Sequence, residues 1–184
     1  MISPFRLREA ARVIRAGGVV ACPTESVYGL SCDPLNRRAV LHLLSIKQRA
    51  MEKGLILLAA DISQLAPFAI LEGEWMRKVR STWPGPVTWL LPAQPFLPYW
   101  INGGRGTVAC RVTAHPPAAA LCNTVGHALV STSANLAGRP PARTPLQVHL
   151  ACPGTDFILS GPLGDLERPT QIRDARTGET LREA

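Results

Sequence analysis

The chain has 184 residues, 46% hydrophobic and 18% charged, a balance that sets disorder aside and allows one domain with a substantial core. Lys and Arg number 20 against 13 Asp and Glu, and the resulting +7 favours polyanionic partners such as nucleic acid or nucleotide phosphates. No apolar run reaches the roughly 18 residues of a membrane span and the start lacks an apolar signal core, so the expected setting is cytoplasmic, without membrane contact.

In chain order, Phe5, Ala11, Val13 and Ile14 mark one stripe of a helix over residues 5–16, stopped by Gly17 and Gly18. "VVAC" then reads as a short buried strand. Asp33 and Pro34 are placed to cap and start a second helix, whose apolar face is Val40, Leu43 and Leu44. "GLILLAA" (54–60), "PVTWLLPA" (86–93) and "TVACRV" (107–112) read as strands. A short helix over 116–124 precedes two more strands, "HALVS" and "DFILSG". Mingled strands and helices predict an α/β fold, a single domain over 1–184 with a twisted mixed sheet flanked by helices. "PAQPFLPYWINGGRG" is a Pro/Gly-rich connection, either a functional rim or a surface loop. The polar tail from Gly161 is expected to fold over the sheet. Cys22, Cys32, Cys110, Cys122 and Cys152 are odd in number and lack CxxC spacing, so they read as free thiols filling the core in a reducing compartment.

Four polar islands end apolar elements: "PTESVYGL" (23–30), "KQRAMEK" (47–53), Arg111 within "TVACRV", and "STSANLAG" (131–138). In open α/β sheets ligands sit at the carboxyl ends of strands, where hydroxyls and amides orient a polar molecule and Lys or Arg neutralises phosphate. Each island also has a plain structural reading. Ser/Thr/Asn/Gly clusters make turns, and Lys47, Arg49 and Lys53 can complement a helix dipole. Tyr28 reads equally as core filler or as ligand wall. Arg111 is harder to dismiss, because a guanidinium in an apolar strand needs an edge, a partner or an anion. There is no GxxxxGK[ST] or GxGxxG cradle, no GxSxG elbow, and no His/Cys/carboxylate set at metal spacing.

In this order the islands resemble the YrdC-like family of threonylcarbamoyl-AMP synthases. The family's "PTETVYGL", KxR, "SxxWPGPxT", "AVR" and "TSAN" hallmarks stand here as "PTESVYGL", "KQR", "STWPGPVTWLLP", "VACRV" and "STSANLAGRPP". The match runs from about Gly17 to Arg173, and the ending looks like the family's short bacterial form. The resemblance implies a basic concave surface and a reaction in which L-threonine, bicarbonate and ATP give threonylcarbamoyl-AMP and pyrophosphate. A downstream threonylcarbamoyl-transferase complex would then pass the group to tRNA. The implied threonine contacts are Ser26, Tyr28, Arg111, Ser133 and Thr170. Those implied for ATP are Lys47, Arg49, Lys53, Thr107, Asn135 and Arg143, with Lys47 and Arg49 acting on the phosphates in catalysis. Mg²⁺ would be carried by ATP rather than by protein ligands. Ser26 replaces a family threonine, Gly54 a proline, Leu58 a histidine of longer members and Thr113 a proline. The rival reading is an RNA-binding or ribosome-assembly module without catalysis. A carbamoyl-transfer domain of the kind embedded in hydrogenase maturation factors is disfavoured, because their accompanying zinc-finger and acylphosphatase-like parts have no counterpart here.

Overall fold

The computed structural model describes residues 2–168 and 170–183. Helix α1 (Pro4–Arg15) is capped by Ser3, whose hydroxyl accepts the Arg6 amide at 3.3 Å, and Gly17 takes a φ of +86° just beyond its end. Its buried face is Ala10, Ala11 and Ile14. Phe5, expected on that stripe, is 61% exposed, because burial begins only after the first turn. Helix α2 (Arg37–Lys47) also starts later than expected. Asn36 caps it, accepting the Ala39 amide at 3.1 Å, while the Asp33 carboxylate accepts the Leu35 amide at 2.8 Å in a preceding turn that contains Pro34. Short helices α3 (Met76–Arg80) and α4 (Tyr99–Asn102) precede α5 (Pro116–Val125) and α6 (Pro145–Ala151). Helix α4 anchors the Pro/Gly-rich connection by burying Ile101 and Asn102.

The strands are β1 (Val20–Pro23), β2 (Tyr28–Ser31), β3 (Ile56–Ala59), β4 (Thr88–Pro92), β5 (Thr107–Val112), β6 (Leu129–Ser133), β7 (Phe157–Ile158), β8 (Ile172–Asp174) and β9 (Thr180–Arg182). They form one sheet in the order β7-β1-β2-β6-β3-β5-β4-β8-β9. Only β1–β7, β3–β5 and β4–β8 pair in parallel, so the sheet is mixed, as expected. Strand β6 runs further toward Ser133 than "HALVS" implied, because Ser133 pairs with Gly29 and Ser131 with Ile56. The tail does not fold over the sheet but extends it as β8 and β9. On the way it passes the β1–β2 loop, where the Gly164 and Leu166 amides donate to the carbonyls of Thr24 and Glu25.

Each sheet face carries its own core. Val20, Cys22, Leu58 and Leu129 pack under α1 and α5 with Ile14, Leu121 and Cys122. On the opposite face Ala21, Leu57, Cys110 and Val130 pack with Val40, Leu43 and Leu44 of α2. All five cysteines are free and buried. No helix among the described residues is long and apolar enough to cross a membrane.

Candidate functional site

Alternation along the strands decides where the cavity lies. On β5, Cys110 and Val112 enter the α2-side core, while Thr107, Ala109 and Arg111 face the other way. Strand pairing carries this second face across the sheet. Ala109 lies beside Ile56 and Leu90, Ile56 beside Ser131, and Ser133 beside Gly29. Helices α1 and α5 cover one end of the face, over Leu58 and Leu129. The remainder floors a cavity of about 480 Å³. Around Gly29 its floor is made of small residues, and an added Cβ there would come within 3.3 Å of Ser131 Oγ and 3.4 Å of Thr24 Cγ2. The site is therefore not the convergence of strand carboxyl ends that the sequence suggested. Strand β6 runs against β3, and β3 runs with β5, so the end of β6 and the start of β5 border the same cavity.

At one wall the Arg111 guanidinium is almost fully buried. Its Nη1 donates to Thr170 Oγ1 at 2.8 Å and its Nη2 lies 3.1 Å from Glu25 Oε2. The Thr113 hydroxyl donates to the other Glu25 oxygen at 2.6 Å, and its own oxygen accepts the His115 amide at 3.0 Å. Burial pushes the Arg111 pKa down and the Glu25 charge opposes that shift. Burial likewise lowers His115, whose Nδ1 has no partner. The Arg111 Nε also lacks a hydrogen-bond partner, and Glu25 Oε2 has only its ion pair with Arg111. Unsatisfied capacity thus remains beside the cavity wall formed by Ser26, Ser133 and Thr170.

The lining is also rich in cations: Arg49, Lys53, Arg105 and Arg182 join Thr107, Arg182 lies against the Thr170 carbonyl, and no Asp or Glu lines the cavity among the described residues. Arg49 Nη2 donates to the Gly54 carbonyl at 3.1 Å. Gly54 has a φ of +66°, a conformation closed to proline. Burial lowers the Arg49 pKa, and the charges of Arg182 and Arg105 lower it further. None of these cations is ion-paired among the described residues.

Four expected site residues do not line the cavity. Lys47 is buried beneath the loop after β6, where its ammonium donates to the carbonyl of Ser133 and, at 3.0 and 3.1 Å, to the Asn135 carbonyl and Oδ1. The Lys47 carbonyl accepts the Ala137 amide at 3.1 Å, and burial pulls its ammonium pKa down to about 8. Asn135 serves the same loop: Oδ1 accepts the Ser133 hydroxyl at 2.6 Å and Nδ2 donates to the carbonyls of Leu136 and Arg139. Tyr28 is core, its hydroxyl donating to the Gly161 carbonyl at 2.9 Å and accepting the Gly161 amide at 3.2 Å. Arg143 is exposed and donates to the Glu167 carbonyl at 3.3 Å.

Sequence reasoning missed Glu25, Thr113, Arg105 and Arg182. For Glu25 a signal existed: an arginine in an apolar strand needs a carboxylate, and "PTESVYGL" contains one. Residues 12–184 match the Sua5/YciO/YrdC family model, described as telomere recombination. The threonylcarbamoyl-AMP synthase of Nitrosococcus oceani is 53% identical over 180 residues, covering 97% of each chain. That of Halorhodospira halophila is 55% identical over 182 residues, covering 97% of this chain and 95% of its own. Among solved structures, P. abyssi Sua5 complexed with L-threonine superposes with a TM-score of 0.88 at 32% identity. The match covers 95% of this chain and 52% of that one, so the chain spans about half the length of that protein. With a family model spanning nearly all of its length and relatives above half identity along the whole of it, the chain belongs to the Sua5/YciO/YrdC family.

Proposed function

We propose that the cavity joins an amino acid to a nucleotide, and that the chain is a threonylcarbamoyl-AMP synthase acting in tRNA modification. It is an enzyme using L-threonine, bicarbonate and ATP. The observation that carries this reading is the lining of one cavity. It combines a buried guanidinium, paired with Glu25 and set among hydroxyls, with four cations that have no acidic partner. The first matches a carboxylate flanked by a hydroxyl and the second a polyphosphate.

The threonine amine and bicarbonate form a carbamate with loss of water. A carbamate oxygen then attacks the α-phosphorus of ATP, the bond to the bridging oxygen breaks, and pyrophosphate leaves. Charge builds on phosphate oxygens and on the leaving group, so the chain's task is placement and electrostatic stabilisation. Arg111 and Thr170 hold the threonine carboxylate, with Ser26 and Ser133 beside its polar atoms. Arg49, Lys53 and Thr107 lie along the triphosphate. Lys47 and Asn135 set the loop that presents Ser133. Tyr28 supports the β1–β2 wall from behind, and Arg143 lies outward on the nucleotide side. No cluster of His, Cys, Asp or Glu able to hold a metal occurs among the described residues. The cavity's own side chains therefore do not fit a resident Mg²⁺, and an ion entering with ATP would be held by phosphates and water.

The test is pyrophosphate release. It should require both threonine and bicarbonate, and release that ignores threonine would sink the reading. Salt-dependent RNA binding with no such turnover would favour the non-catalytic module instead. Delivery to tRNA through a downstream transferase complex is part of the same proposal. Arg49→Ala is expected to raise the KM for ATP about tenfold and leave that for threonine alone. Initial rates with each substrate varied in turn check this.

A further inference from the structure

Arginine is long and rich in rotamers, so one that waits in place for a ligand needs something to hold it. Arg111 lies on β5, between β3 and β4, which fixes its backbone. Its side chain is held from two directions, by Thr170 on Nη1 and by Glu25 on Nη2. Glu25 lines no part of the cavity, yet it is itself anchored at both ends. At the backbone, its carbonyl accepts the Leu166 amide at 3.1 Å. Gly164 lies so close there that an added Cβ would meet the same carbonyl oxygen at 2.8 Å. At the carboxylate, Thr113 is the anchor. Its amide donates to the Ala59 carbonyl at 2.9 Å, and its hydroxyl oxygen is occupied by the His115 amide. The hydroxyl proton is thereby directed to Glu25 Oε1, at 2.6 Å.

Glu25 acts on an incoming carboxylate in two opposed ways. Its charge repels a second anion at the same guanidinium and cancels part of the attraction. Its grip orders the guanidinium beforehand, so binding does not bear that cost. Burial decides between them. Without its counter-charge, a guanidinium as enclosed as Arg111 turns toward water rather than stay in place.

We propose that Glu25 is a positioning residue for amino-acid recognition: locked by Thr113, it holds the Arg111 guanidinium in the orientation that receives the substrate carboxylate. This rests on the reading of Arg111 as the carboxylate contact. In calorimetric titration with L-threonine, Glu25→Gln should bind about tenfold more weakly than the wild type, whereas relief of repulsion alone would tighten binding. Thr113→Val should weaken it about fivefold, and Thr113→Ser should restore it. The KM for ATP should stay within about twofold in all three. Because Thr113 acts through Arg111, Thr113→Val should change the threonine KM by less than about twofold in an Arg111→Ala background. Nitrogen NMR of the chain without substrate should show separate Nη signals for Arg111, merging in Glu25→Gln as the guanidinium is freed to rotate. The proposal is overturned if Glu25→Gln binds threonine as tightly as the wild type or more tightly. It is equally overturned if its threonine and ATP KM values rise together, since the β1–β2 loop would then merely have loosened. Merged Nη signals in the wild type would overturn it too. A wild type without threonine-dependent pyrophosphate release would instead remove the synthase reading, and the titrations and Nη signals would still decide the role of Glu25.

Discussion

Arg111→Ala is expected to weaken threonine binding by about 2 kcal/mol, roughly thirtyfold, by removing a charge-assisted contact to the carboxylate. The same change should cost the fold about 3 kcal/mol, because it strands Glu25 in a buried position with no counter-charge. The two losses separate in the double variant. Arg111→Ala with Glu25→Gln removes the stranded charge, so it should recover part of the stability without recovering threonine affinity. Calorimetry with threonine and denaturant titration of the single and double variants check this. Unchanged threonine affinity in Arg111→Ala would mean that the Glu25–Arg111 pair only ties the β1–β2 loop to β5. An unrecovered stability would mean that Glu25 is not left charged.

The second large effect concerns Lys47. Lys47→Met should lower kcat about a hundredfold, because a small displacement of the Ser133–Asn135 loop misplaces the reacting groups. If Lys47 instead reached the phosphates, the KM for ATP would carry the loss. Stability gives an independent check. Burial brings the Lys47 pKa down from its ordinary 10.5 to about 8 in the fold, so between those pH values the unfolded chain holds more protons. Wild-type stability should therefore rise relative to Lys47→Met as pH climbs through that window. Below about pH 8 the fold bears the whole cost of burying the ammonium, and above the window it bears none. Activity should move the opposite way, since the neutral amine keeps two donors for three acceptors and the loop loosens. A wild-type-to-variant stability difference that stays flat across the window would refute this account.

The sheet's central strands were legible because each is a dense apolar run, and β3, β4 and β5 lie within the expected segments. The stop of α1 was legible through Gly17 and Gly18, whereas α2 stops on Gln48 in the left-handed region. The start of α2 was not legible, since Asp33, Pro34 and Asn36 all have capping or first-turn chemistry, and a local Asx turn took Asp33 for itself. Strands β8 and β9 are three residues long and two of the three are polar in each. Only the pairing of β8 with β4, far away in the chain, and of β9 with β8 makes them strands. At the site, Arg111 stood out against an apolar background, and Ser26, Ser133, Thr170 and Arg49 followed from the motifs onto one cavity. Lys47 and Asn135 also followed from motifs, but the structure turns both toward the loop behind the wall. Arg105 and Arg182 sit in polar stretches, where a cation looks like any solvated charge until tertiary folding turns it inward.

The distribution of the cavity walls along the chain has a biosynthetic consequence. Thr24 and Ser26 come from its first strand loop, while Thr170, Ile172 and Arg182 come from its last segments. Translation releases these parts many seconds apart at usual elongation rates. A nascent chain that has made β6 can join β2 to β3 and close the middle of the sheet, yet it holds Arg111 without its Thr170 partner until the later segments emerge. Competence for the reaction therefore arrives with the last segments synthesised, after the body of the molecule has taken shape.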